Sequence, residues 1–389
     1  MAEDESFSPA IHGLEFPSRA LCARLAETDE IHFLAATQSV TSENQIHLLT
    51  YNDENSELDK YIYAHPAGEV WDIKSSPFKK DIISSVYSRI EGGKQRFFAS
   101  LWTLPDEQAT LTEGLSDADD SRGVSPRNRK SSVNTAVTKL CNIEGLEGRV
   151  SVVCWDPKEG SNAIICIDES TVKLYKLDND ISQLISCNTI PTEEKKHINV
   201  NAVFNPHLGL IDCITSGEAV TGLDFRVSKP VFSISRPHSL TTRDVDFNPN
   251  KPYHIATGGD DCQVKFWDIR QLTNPLITRK DHTHWVWGVQ YNPNHDQLVI
   301  SCSSDSNVAL SRLTSIASDP IPILDEDFQD TPAKPPQPDE LIMTYDVHED
   351  SVYKIQWSSA NSWVFASLSY DGRLAINHVP HSETLKILL

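Results

Sequence analysis

Gly259-Asp260-Asp261-Cys262-Gln263-Val264-Lys265-Phe266-Trp267-Asp268 is the stretch that decides the fold. A Gly-Asp turn sends the chain back into a short strand ending on Trp-Asp, and His238 stands 23 residues before Asp261. The same His-to-Asp spacing of 23 returns at His282/Asp305 and His348/Asp371. Between each pair lies a short apolar run rich in β-formers, such as Ile255-Ala256-Thr257 or Val364-Phe365-Ala366. Self-similarity at a period of roughly 40 residues marks units that cannot bury their own apolar face and must stack on one another.

Working outward, Val245-Asp246-Phe247-Asn248-Pro249 gives the template for the strand that opens each unit: apolar, any residue, aromatic, then a turn. Val289 to Pro293, Ala202 to Pro206, Val153 to Pro157, Ile355 to Ser359 and Ile73 to Pro77 follow it, and Leu14 to Ser18, through Phe16, supplies the first row. Seven rows predict an all-β, seven-bladed propeller of the WD40 kind, spanning 1–389 as one domain. Successive row-ending prolines from Pro157 step by 49, 43 and 44 residues, but Pro77 to Pro157 spans 80 and Pro293 to Ser359 spans 66. The excess falls in 106–136 and 317–340, acidic stretches without an apolar period that are expected to be disordered insertions, as residues 1–8 are expected to form an acidic flexible N-terminus. Residues 188–226 are the faintest unit, although Ala219 to Arg226 echoes Gln263 to Arg270. The ring must close to hide its sheet edges; Thr384 to Leu388 is expected to add the last outer strand, with residues 6–11 as the rival.

The 34 basic and 55 acidic side chains give a net charge of −21, which repels phosphate backbones and anionic headgroups. No nucleic acid and no membrane insertion are therefore expected, and a protein partner fits better. Eight scattered cysteines without a C-x-x-C pair read as reduced core thiols in a cytoplasmic protein, with no disulfide or metal role. The start, Met1-Ala2-Glu3-Asp4-Glu5, does not suit a presequence.

His238, Thr257, Asp261 and Trp267 invite comparison with a hydroxyl, His and Asp triad, but no oxyanion site or nucleophile turn accompanies them. They are expected to form a structural tetrad, a buried hydrogen-bonded chain bracing its blade. No catalytic residue, cofactor or metal is expected; His282-x-His284 lacks further ligands for a metal site. Two sister units carry Ser311 and Asn377 where Trp267 stands, which predicts truncated chains there.

Counting five residues past each His reaches the start of the first strand of a blade. Across the seven rows that column reads His12, Trp71, Ser151, Val200, Arg243, Trp287 and Tyr353. Trp285 lies two residues before Trp287, and Asp260, Ser304 and Tyr370 precede the Asp turns. Trp71, Arg243, Trp285, Trp287, Tyr353, Tyr370 and Asp260 are therefore the candidate protein-binding residues of one rim, rich in the types that dominate binding hot spots. Packing between blades is the competing reading of the same aromatics. Arg122 to Lys130 with Ser131-Ser132, and Ser125-Pro126, are candidate phosphorylation sites in the first insertion.

Asp246 to Lys251, Gly259 to Asp268, His284-Trp285-Val286-Trp287 and the run from His348 through Leu374 together resemble the EARP and GARP complex-interacting WD-repeat proteins. Gly13 to Phe16, Asn44 to His47 and Ile387-Leu388-Leu389 extend the likeness to both ends. The resemblance implies a non-enzymatic adaptor that binds subunits of the EARP and GARP tethering complexes, monomeric outside them and recruited by them to the trans-Golgi network and endosomes. It further implies roles in endosomal recycling, retrograde transport and dense-core vesicle cargo sorting. The alternative is a substrate receptor of a cullin-RING ubiquitin ligase, since Ile255 to Arg270 resembles the box by which some WD proteins dock on a ligase adaptor, with Arg270 as the contact.

Overall fold

The computed structural model describes residues 9–41, 43–105, 135–169, 171–181, 183–191, 200–207, 212–318 and 338–388. Its strands form seven sheets, the blades of a β-propeller. Blade one is Ser18–Ala23, Ile31–Thr37, Asn44–Asn52 and Glu57–His65. Blade two is Glu69–Ser75, Ile82–Glu91, Lys94–Thr103 and Thr138–Asn142. Blade three runs Val152–Trp155, Ala163–Ile167, Thr171–Leu177 and Leu184–Pro191, and blade four Asn201–Phe204, Cys213–Ser216, Ala219–Asp224 and Lys229–Ser235. Blade five is Thr242–Phe247, His254–Gly259, Val264–Asp268 and Ile277–Arg279; blade six is Val286–Tyr291, Leu298–Ser303, Val308–Arg312 and Glu340–Tyr345. Blade seven takes Val352–Trp357, Val364–Ser369 and Arg373–His378 from the end of the chain and Ala10–Gly13 from its beginning.

The opening strands stop where they do because a side chain caps the turn. Asn248 Oδ1 accepts the backbone N–H of Asn250 at 2.8 Å and of Lys251 at 2.7 Å. Asn292 does the same for Asn294 and His295, and Ser358 for Ala360 and Asn361. A short polar side chain that mimics a backbone turn is the physical content of the repeating row.

Seven apolar clusters hold the ring, one between each pair of adjacent blades. Successive side chains of a strand point to opposite faces, so each buried strand feeds two clusters. In blade five Ile255 and Trp267 pack against blade four, while Ala256 and Phe266 pack against blade six. Strands buried on both faces read as continuous apolar runs rather than alternating ones, which is why Leu298-Val299-Ile300 shows no polar stripe.

Three expectations are corrected. The first row is misplaced: Leu14 to Ser18 precedes the opening strand of blade one, which is Ser18–Ala23. That strand ends Cys22-Ala23 and runs on into Arg24, with neither aromatic nor Asn-Pro turn, so the template passes over it. The ring is closed by Ala10–Gly13 pairing antiparallel with Arg373–His378, Ala10 opposite Ile376 and Gly13 opposite Arg373. Thr384 to Leu388 instead belongs to a helix, His381–Leu388. Pro380 starts that helix, its carbonyl accepting the N–H of Glu383 and Thr384, and Glu383 is buried against Arg312. Lastly, the insertion boundaries are too wide, because Thr135–Ala136 pairs parallel to the last strand of blade one and Glu340 already opens a strand of blade six. Residues 1–8, 106–134 and 319–337 lie outside the described residues, as do Ser125, Ser131 and Ser132.

Candidate protein-binding rim

Each opening strand begins on the same face of the ring, and five of the seven begin with a bulge. The register slips between Ser18 and Ala20, Val70 and Asp72, Thr242 and Asp244, Val286 and Gly288, and Val352 and Lys354. The unpaired residue is Arg19, Trp71, Arg243, Trp287 or Tyr353. A bulge leaves one residue out of the ladder and re-aims its side chain, here toward the axis of the ring. Ser151 and Val200 hold the equivalent places in blades three and four, just ahead of strands that start without a slip.

These side chains meet in one ladder across the mouth. Arg149 lies 5.3 Å from the ring centroid of Trp71, and Arg19 lies 5.6 Å from the same ring. Arg19 also covers Tyr353 at 4.2 Å and Tyr370 at 5.0 Å. Tyr353 packs on Trp287 with centroids 4.6 Å apart, and Arg243 closes the series 4.6 Å from Trp287. Asp260 holds Arg243 by a bidentate pair, both contacts at 2.7 Å. Trp71 donates its indole N–H to Ser88 at 2.8 Å and Trp287 to Ser304 at 2.6 Å, so both rings are fixed in orientation. The ladder encloses a cavity of about 120 Å³ lined from all seven blades, including Arg19, Trp71, Arg149, Arg243, Trp287 and Tyr353.

Trp285 and Tyr370 stand on the outer side of this ladder, 41% and 37% exposed, against Trp287 and Tyr353 respectively. Asp260 is buried at 8%. The structure therefore brings all seven candidate residues into one neighbourhood. It removes His12 from the column: His12 sits in the outermost strand of blade seven, 2.9 Å from His47. Arg19 takes its place. Arg149, also missed, lies two residues before Ser151, the same offset that sets Trp285 before Trp287. Arginines are crowded enough here that the Arg149 guanidinium holds its proton less firmly than usual, first because it is partly desolvated and then because Arg19 and Arg243 repel it.

The tetrad residues sit together in blade five. His238 Nδ1 is 2.6 Å from Asp261 Oδ1, His238 Nε2 is 2.8 Å from Thr257 Oγ1, and Trp267 donates to the same hydroxyl at 3.0 Å. Thr257 is fully buried, and its hydroxyl also reaches the Lys265 carbonyl, so it has no open side from which to attack a substrate. Burial alone would raise the Asp261 pKa; the His238 hydrogen bond and charge, with the Ser239 N–H, outweigh that and hold it at about 2.

Sister blades vary the chain. In blade seven His348 does not touch Asp371: Ser369 stands between them, 2.8 Å from His348 and 2.5 Å from Asp371. Asn377 donates to Ser367 at 3.0 Å, so that chain is not truncated as its sequence implies. Ser311 in blade six turns away to Asp281. Blade two has a further version, His65 and Trp102 on Ser85 at 3.0 and 2.8 Å. Its longer hairpin puts Trp102 17 residues after Ser85, where Trp267 follows Thr257 by 10.

Arg270 lies at the opposite face, past the end of the strand Val264–Asp268, forked on Asp268 and over the ring of Tyr253 at 4.5 Å. Asp224 and Arg226 repeat that fork in blade four. Among the described residues no group of three or more His, Cys, Asp or Glu is arranged to hold a metal ion, and no helix is long and apolar enough to cross a membrane.

Residues 6–311 match the family model described as the EIPR1 beta-propeller, and residues 339–376 match the WD domain, G-beta repeat. The human protein named EARP and GARP complex-interacting protein 1 is 39% identical over 397 residues, covering 99% of this chain and 100% of the relative. The EARP-interacting protein homolog of Gekko japonicus shows the same 39% identity and coverage. The EARP-interacting protein 1 of Caenorhabditis elegans is 30% identical, over 97% of this chain and 98% of its own length.

Proposed function

This chain belongs to the EIPR1 beta-propeller family, and from that membership we propose that it is a non-enzymatic WD-repeat adaptor binding the EARP and GARP tethering complexes through its bulged rim. It is drawn to endosomes and the trans-Golgi network by those partners and serves endosomal recycling, retrograde transport and dense-core vesicle cargo sorting. The observation that carries the reading is the aromatic and arginine ladder, pre-set by five bulges and two indole hydrogen bonds. Side chains fixed before binding lose little entropy on docking, and Trp, Tyr and Arg supply large contact area with a polar tip. The buried hydroxyl of the tetrad supports a role without catalysis.

Affinity capture with wild type, the double variant Trp287→Ala/Tyr353→Ala, and Arg270→Ala tests this. The tether subunits should be recovered with wild type and Arg270→Ala and lost with the double variant. Equal recovery with the double variant would refute the rim. Arg270 presents an exposed guanidinium on the other face, which keeps the ligase-receptor reading as the alternative. Capture of a cullin complex that vanishes only with Arg270→Ala would favour it. The same Asp-Arg fork in blade four, though, gives Arg270 an architectural reason to be where it is.

A further inference from the structure

We infer that the axial mouth is a carboxylate-binding site, and that the partner segment it takes is an acidic peptide inserted between Arg19 and Arg149. The inference rests on the rim being the docking face proposed above. Three guanidiniums converge on one cavity in a chain whose net charge is −21. Among the described residues only Arg243 is ion-paired, by Asp260. Arg19 touches the Tyr353 hydroxyl at 3.4 Å and three aromatic rings but, among the described residues, no carboxylate, and its Nε is buried without a hydrogen-bond partner there. Arg149 rests on Trp71 and Phe97, Glu169 attracts it electrostatically, and among the described residues no carboxylate forms an ion pair with it.

Like charges held together in a partly desolvated pocket destabilise the empty state, and an anion relieves that repulsion. Ring contacts engage a guanidinium without using up its N–H donors, which stay available to a planar, two-oxygen acceptor. Asp260 on Arg243 is an internal example of that geometry. The aromatic walls Trp71, Trp287 and Tyr353 give the flanking residues of a peptide apolar surface. A bilayer or a nucleic acid would bring its whole phosphate field against the acidic exterior, whereas a short acidic segment brings charge only to the mouth.

The test uses the full chain and fluorescein-labelled hexaglutamate, followed by anisotropy. Hexaglutamine, inorganic phosphate and vesicles containing phosphatidylserine are the comparison probes. Hexaglutamate should bind, weaken as salt rises, and bind about tenfold or more weakly to Arg19→Gln/Arg149→Gln while Arg270→Gln leaves it unchanged. Equal binding of hexaglutamine, preference for vesicles, or equal affinity of wild type and the double variant overturns the inference. If the double variant does not melt like wild type, Arg149→Gln alone, at the exposed residue, carries the comparison. Tether capture reports separately. A chain that captures no tether yet holds hexaglutamate through Arg19 and Arg149 loses the adaptor reading and keeps the site. Tether capture undiminished in the double variant overturns the site as the partner's docking point.

Discussion

The guanidinium of Arg19 lies 4.2 Å from the ring centroid of Tyr353, although 334 residues separate them in the chain. One sits at the start of blade one and the other at the start of blade seven. The contact exists only because the ring closes, so the rim and the closure are one structural event. Several consequences of this architecture can be measured.

Closure depends on Gly372. Its φ of +84 lies in the left-handed region, and a Cβ there would meet the Phe16 carbonyl at 2.8 Å and the Leu14 carbonyl at 2.9 Å. Gly372→Ala should cost about 1–3 kcal/mol and speed amide exchange of Ala10 to Leu14. Unchanged exchange in that strand would contradict the closure.

Trp267→Ala removes a buried ring packed between blades four and five together with its hydrogen bond to Thr257. A loss of roughly 3–5 kcal/mol is expected in chemical denaturation. Asn377→Ala in blade seven should cost less, about 1–2 kcal/mol, since it removes two amide hydrogen bonds, to Ser367 and the Ala375 carbonyl, from a smaller side chain.

Acid should weaken the fold through its buried histidines before carboxylates of ordinary pKa titrate, with buried Asp246, pushed up to about 8 by desolvation, opposing them by one proton. Burial pushes His65 down to about 3 and His348 to about 4 from an ordinary value of 6.5. Both are neutral in the folded chain while the unfolded chain takes up protons from 6.5 downward. Their stabilisation is whole above pH 6.5 and shrinks as pH falls toward 4, by about 1.4 kcal/mol per pH unit for each histidine. Urea midpoints from pH 7.5 to 5 should fall, and His65→Gln should lessen the slope by about one proton. Asp261 acts lower: its stabilisation is present above its ordinary 3.8 and is lost as pH falls through about 2.

Arg312 and Glu383 form a buried pair that fastens the terminal helix to blade six, with Glu340 on the same guanidinium. Glu383→Ala leaves Arg312 half-neutralised inside the protein and should cost about 3 kcal/mol. Amide exchange would show the helix His381–Leu388 released; full protection there would contradict the assignment.

Thiol reagents should sort the cysteines by place. Cys187 is exposed and Cys141 and Cys262 are half-buried, whereas Cys22, Cys154, Cys166, Cys213 and Cys302 are buried, with burial raising Cys22 and Cys154 to about 12. Three thiols should react in the native protein, Cys187 fastest, and five only after unfolding.

Much of this molecule is legible in its sequence. Rows of the Val245 to Pro249 type follow from local chemistry: an apolar strand ended by an Asn or Ser that satisfies the next two backbone N–H groups needs no distant partner. The column through Trp71, Arg243, Trp287 and Tyr353 was countable for the same reason, because a fixed strand phase places each of them. Seven repeating units that must cover one another's apolar faces then determine a ring.

What the sequence left open are the relations between distant segments. Whether residues 10–13 or 384–388 complete blade seven depends on which one satisfies Gly372, Arg312 and the open sheet edge, and these lie far apart in the chain. The substitution of Arg19 for His12 in the rim follows from that closure, which shifts the frame of blade one. So does the meeting of Arg19 with Arg149, since neither residue announces itself in a row. Local hydrogen bonding and strand period set the blades; long-range packing and charge, decided only when the ring shuts, set what its mouth presents.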